Sequence, residues 1–125
     1  MPIGHPLAFV HVELNTTDVD KAKAFYGKLF NWKLEDVQMG PTGTYTMIKP
    51  EKGTGGGILR HPNASGPSMW LAYVEVEDVA QAVTKAKSLG ATVMREVTEV
   101  PDAGTMAIIV DPTGAMLAFW KPKQA

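Results

Sequence analysis

Chemistry has few places to start in this chain. It holds three histidines and no cysteine, so disulfides, thiolate zinc sites and cysteine nucleophiles are excluded at once. His11 stands out because Glu13 follows two residues later, in the run His11-Val12-Glu13-Leu14. In an extended strand, residues two apart share a face and lie about 6.6 Å apart along it. An imidazole and a carboxylate so placed form a candidate acid–base pair, with Glu13 orienting or charging the His11 ring. The plainer reading is a satisfied histidine beside a rim carboxylate, since paired groups also arise for structural reasons. Tyr45 and Trp70 could stack on a planar ligand or simply pack at the starts of strands, because aromatic side chains serve both purposes. His5 near the start and His61 in a Pro- and Gly-rich stretch read as surface residues. Gly55-Gly56-Gly57 lacks the GxxxxGK[ST] spacing of a phosphate-cradling loop, which excludes that motif.

The elements that must position these groups follow an internal repeat. Shifting the chain by 60 residues lays Asp18-Val19 on Asp78-Val79, Ala22 on Ala82, Leu29 on Leu89 and Ile48 on Ile108. Asp18 and Asp78 stand where N-caps belong, accepting hydrogen bonds from the first helical turn. After them Val19, Ala22, Phe25, Tyr26 and Leu29, and again Val79, Ala82, Val83, Ala86 and Leu89, recur at helical spacing. Asn31 and Gly90 tolerate the left-handed conformation that ends a helix. Lys21, Lys23, Lys28, Lys85 and Lys87 read as the solvated faces of the two helices.

Apolar strands Leu7 to Leu14 and Met69 to Val76 precede the helices. Shorter strand-like runs follow: Trp32–Gln38, Thr44–Lys49 and Gly57–Arg60 in one half, Thr92–Val100, Thr105–Val110 and Met116–Lys121 in the other. Turns are announced by Gly40 to Gly43, Gly53 to Gly56, Asp102 to Gly104 and Asp111 to Gly114. His61 to Pro67 is the linker. With three strands after each helix, antiparallel or mixed sheets are expected, one face covered by the helix.

Composition bounds the rest. The chain has 125 residues, a 45% hydrophobic share and a net charge of −1, one domain's worth of material with an ordinary core. Interleaved charges exclude the basic face that a nucleic-acid surface needs. No apolar run approaches the roughly 20 residues that span a bilayer, and Met1 to Pro6 do not read as a secretion signal. A cytoplasmic location is expected.

This layout resembles the vicinal-oxygen-chelate superfamily, which groups glyoxalases, bleomycin-resistance proteins and extradiol dioxygenases. The resemblance rests on His11-Val-Glu13-Leu14 followed by Thr17-Asp18 and Phe25-Tyr26-Gly27, and on Leu29-Phe30-Asn31-Trp32, where many relatives carry Gly in place of Asn31. It extends through Trp70 to Asp78, Ser88-Leu89-Gly90-Ala91, and Asp111-Pro112-Thr113-Gly114. It implies an α+β fold of two tandem βαβββ units, residues about 5–60 and 68–122, forming an open eight-stranded cup with one main helix per repeat. Residues 1–125 would make a single domain, and a homodimer is expected.

The resemblance also implies four ligand positions in metal-using members, which fall here on His11, Ile58, Leu71 and Ala118. Aliphatic side chains donate no lone pair, and His11 with Glu13 falls short of the three protein ligands of a catalytic zinc site. No cofactor is expected, and a divalent metal only against this donor count. If position 11 faces the cup, alternation brings in Phe9 and Glu13, then Tyr73 and Glu75, then Met116 and Trp120. Apolar walls with sparse polar groups suit a small organic molecule. The expectation is therefore a glyoxalase-like domain binding a small, partly apolar ligand without metal. The alternatives are a metal-free enzyme using His11 and Glu13, and a metal-dependent lyase or dioxygenase of the glyoxalase I type.

Overall fold

The computed structural model describes residues 7–39, 43–62 and 66–123. His5, the turn residues 40–42, the linker residues 63–65 and both chain ends lie outside them. The elements run β1 (Phe9–Thr16), α1 (Val19–Phe30), β2 (Lys33–Gln38), β3 (Thr44–Lys49), β4 (Gly56–Arg60), β5 (Met69–Glu75), α2 (Val79–Ser88), β6 (Thr92–Val100), β7 (Gly104–Val110) and β8 (Met116–Pro122). This is βαβββ twice over, an α+β fold with mixed strand pairing. The chain divides into two compact units, His11–Leu71 and Met1–Val10 with Ala72–Ala125.

In the first unit the strand order is β2-β3-β4-β1. β1 pairs with β4 in parallel, and the β2–β3 and β3–β4 pairs are antiparallel. Helix α1 starts where Asp18 accepts a hydrogen bond from the Lys21 backbone N–H, and it ends at Asn31 in the left-handed region. Beneath it Leu14, Ile48 and Ile58 form a core with Val19, Ala22, Tyr26, Trp32 and Leu34. The hairpin is tied to the same side by Asp36, which accepts from the Thr46 hydroxyl at 2.7 Å and from Lys23 Nζ at 3.0 Å. Those two partners, Thr46 first, hold its carboxyl below the usual range. Lys23 is thus partly an anchor, where the periodicity had it only solvated.

In the second unit the order is β5-β8-β7-β6, with β5 and β8 parallel. Asp78 caps α2 through the Gln81 N–H. The core is Val76, Val79, Val83 and Ala107, with Val74, Ala82, Val93 and Phe119 packed against it. Gly90 takes φ 105° after the helix and Gly114 takes φ 101° in the β7–β8 turn, values that favour glycine.

The repeat is closest in β1, α1 and their counterparts, where an offset of 60 residues brings Leu14 onto Val74 and Val19 onto Val79 in matching cores. It then slips. Leu34 and Val93 both pair with the core-side residue of the next strand, Ile48 and Ile109, so the offset is 59 there and 61 at the strand that follows. Irregular pairing in β6, between Val93 and Arg95 and between Arg95 and Thr98, accompanies the change.

Candidate functional site

In the first unit, alternation along β1 separates the side chains of Leu14 from those of His11, Glu13 and Asn15. Leu14 belongs to the core under α1, so the other three stand on the face away from the helix. Across β4, Glu13 is registered with Gly57, which is registered in turn with Met47 of β3. Tyr45, two residues before Met47, shares that face.

The four polar groups meet. His11 Nε2 lies 2.6 Å from Tyr45 Oη, and the two rings are within 21° of parallel. The Tyr45 hydroxyl donates to Glu13 Oε2 at 2.9 Å, and Asn15 Nδ2 donates to Glu13 Oε1 at 3.3 Å. With its single hydrogen directed at Glu13, the Tyr45 oxygen accepts from His11, which assigns the His11 proton to Nε2. Glu13 is only 8% exposed, an interior carboxylate where a rim position was expected. Burial also pushes the His11 pKa below its ordinary 6.5, so the ring is neutral at pH 7. A neutral imidazole, a phenol and a carboxylate in series can pass a proton or present alternating donors and acceptors to a ligand. Sequence reasoning saw His11 and Glu13 but not that Tyr45 links them.

The other expected residues scatter more. Ile58, assigned to a ligand position by the constant offset, is fully buried under α1. The residue opposite Glu13 on the open face is Gly57, and a one-residue slip accounts for the error because it turns a strand residue to the other side. Trp70 packs edge-on against Tyr26 of α1, ring centroids 5.4 Å apart, which places it with the helix-side aromatics. Phe9 opens β1 and is 63% exposed. His61, expected at the surface, is half-buried, and its backbone N–H bonds Thr16 O at 2.8 Å.

In the second unit, Tyr73 is registered with Ala118 and Glu75 with Trp120. Val74 and Phe119 line the α2 core, so Tyr73, Glu75, Met116, Ala118 and Trp120 stand on the face away from it. There Tyr73 and Trp120 pack edge to face at 6.4 Å. Two surface depressions lie elsewhere. One, of about 230 Å³, is lined by Glu77, Asp78, Val97, Thr105 and Lys121. The other, of about 840 Å³, is lined by Phe30, Trp32, Lys33, Lys49 and Lys52. Neither contains the four-residue network, which carries the more specific chemistry.

The profile of the Glyoxalase/Bleomycin resistance protein/Dioxygenase superfamily matches residues 8–119. The chain belongs to this superfamily. Among its relatives is the "Putative glyoxylase CFP32" of Mycobacterium tuberculosis, 36% identical over 114 residues, which cover 88% of this chain and 44% of the relative. The anthracycline biosynthesis protein DnrV of Streptomyces peucetius is 26% identical over 123 residues, 87% of this chain and 45% of that protein. The chain therefore spans about half the length of these curated relatives. Among solved structures, methylmalonyl-CoA epimerase from Mycobacterium tuberculosis superposes with a TM-score of 0.72 at 14% identity, covering 99% of this chain and 94% of that one. At that identity the likeness establishes the fold alone.

For a member of this superfamily, the donor set decides whether the divalent metal used by some members would fit. Among the described residues no three of His, Cys, Asp and Glu gather closely enough to hold an ion. His11 and Glu13 are both committed to the Tyr45 hydroxyl. Gly57, Leu71 and Ala118 offer no side-chain donor. A metal of the family type does not fit these residues. Among the described residues, no helix is long and apolar enough to cross a membrane.

Proposed function

We propose that this superfamily domain binds a small, partly apolar organic molecule without metal, and that the His11–Tyr45–Glu13 chain anchors the ligand's polar group. The observation that carries this reading is the shared Tyr45 hydroxyl, 2.6 Å from one partner and 2.9 Å from the other. Polar groups joined in a continuous, partly buried network hold fixed directions, and fixed directions select ligands. The curated relatives' names support a small organic ligand, since they concern glyoxylase activity and anthracycline biosynthesis. On the second unit by itself, Phe9, Tyr73, Glu75, Met116 and Trp120 are proposed as ligand contacts; on the first, Trp70 is a weaker candidate than Tyr45 given its contact with Tyr26.

A second reading, acid–base catalysis without metal, is favoured by the proton order of the same chain, with neutral His11 as base and Glu13 as the distant acceptor. The proposal also carries a homodimer and a cytoplasmic location, and light scattering tests the first. The main test is a melting-shift screen of neutral and carbonyl-bearing metabolites in the presence of a chelator. Ligands that raise the melting temperature of the parent chain and lose their effect in Tyr45→Phe support the reading. Shifts that require an added divalent ion, or that survive both Tyr45→Phe and His11→Ala, contradict it. For a ligand that is also consumed, His11→Ala separates the two readings, since retained binding with lost turnover identifies an enzyme.

A further inference from the structure

Gly57 stands on β4 opposite Glu13 of β1 and Met47 of β3, so any side chain there would project onto the face that carries His11 and Glu13. That volume is already taken. A Cβ built on Gly57 overlaps the Oη, Cζ and Cε2 of Tyr45. Tyr45 is not registered with Gly57, so its ring reaches there diagonally across the strands, a span open to aromatic side chains. The same reach brings its hydroxyl between His11 Nε2 and Glu13 Oε2. Neighbouring Gly56 does something else, since its missing Cβ leaves room for the Val12 backbone oxygen, a matter of strand spacing.

We infer that Gly57 is the positioning residue of this network, its absent side chain forming the seat that holds the Tyr45 hydroxyl on both His11 and Glu13. The relevance of that seat to a ligand rests on the function proposed above; the seat itself does not. The competing account is that the ring merely shields a weak glycine position in a strand.

The two accounts part at Gly57→Ala, measured without any ligand by denaturant unfolding and by NMR titration of the His11 ring. Other ionisable groups on this face among the described residues of the unit are Glu13 on β1, Lys33 and Glu35 on β2 and Lys49 on β3, with Lys49 paired to Glu35; none is altered. In the parent, Gly57→Ala raises the unfolding constant about tenfold or more, the usual scale for adding a methyl to a filled site. It also moves the His11 titration up toward 6.5 as the hydroxyl leaves and water enters. In a Tyr45→Ala background the same change alters the unfolding constant by less than about threefold and leaves His11 titrating where Tyr45→Ala has put it. An unchanged His11 titration in Gly57→Ala, or equal losses of stability in both backgrounds, overturns the inference. Should Gly57→Ala not fold, a folded Gly57→Ala/Tyr45→Ala double variant supports the seat, and an unfolded one contradicts it. Failure here removes the role of Gly57 and leaves the chelator-insensitive ligand shifts to be judged separately.

Discussion

The two units keep the same helix-side core and have diverged on the opposite face. Leu14, Val19, Ile48 and Ile58 under α1 are answered by Val74, Val79, Ile109 and Phe119 on the α2 side, apolar for apolar. Across the sheet, His11 is answered by Leu71, Glu13 by Tyr73, Tyr45 by Met106 and Gly57 by Ala118. One half therefore carries a partly buried hydrogen-bonded chain where the other carries an edge-to-face aromatic pair. The lesson is a division of labour within a duplication. The core packed against each helix is apolar in both copies, whereas the opposite faces differ in chemistry.

The largest test of that comparison removes the shared part. Ile58→Ala in one half and Phe119→Ala in the other should each lower stability by about 2–5 kcal/mol, the range for truncating packed core side chains. Denaturant unfolding measures both, and a loss confined to one half would break the equivalence. Next comes the part not shared. Tyr45→Phe takes one hydrogen-bond partner from each of His11 and Glu13 and should cost about 1–3 kcal/mol, whereas Met106→Leu at the matching place should cost under about 1.5 kcal/mol. Smaller again are the helix caps. Asp18→Ala and Asp78→Ala should each cost about 1 kcal/mol, nearly equal because both accept from the third residue of their helix.

The gentlest effect is a slope. The folded pKa of His11 lies below 6.5 because of burial, so the unfolded chain binds the proton first as pH falls. Stability from this group is whole above the ordinary value and declines as pH drops from there toward the folded pKa. Unfolding curves across that window should be steeper in pH for the parent than for His11→Gln, and parallel curves would contradict the burial.

Much of the frame was legible because it is local. Asp-Val pairs, helical spacing, Asn31 and the Asp111–Gly114 turn each specify their own few residues. Strands Thr44–Lys49 and Thr92–Val100 fall where the sequence puts them, and most others shift by a residue or two. Leu7 was lost to β1 because it takes φ 59°. What stayed hidden depends on register between distant strands. The slip from 60 to 61 put Ile58 on the wrong face and concealed Gly57, although Gly55-Gly56-Gly57 was plain to see. Tyr45 read as a stacking candidate because nothing in its own segment tells that a glycine on β4 leaves it a seat between His11 and Glu13. Trp70 was legible by contrast, since the alternation that turns Tyr73 and Glu75 to the open face turns position 70 the other way, where it meets Tyr26.

The central claim is that the open face of the first unit is a hydrogen-bonded site and not a metal centre. Calorimetric titration of zinc, manganese and nickel ions into the chelator-treated chain tests it most directly. The account predicts no saturable binding at one ion per chain. A saturable one-to-one isotherm that disappears in both His11→Ala and Glu13→Gln would contradict it.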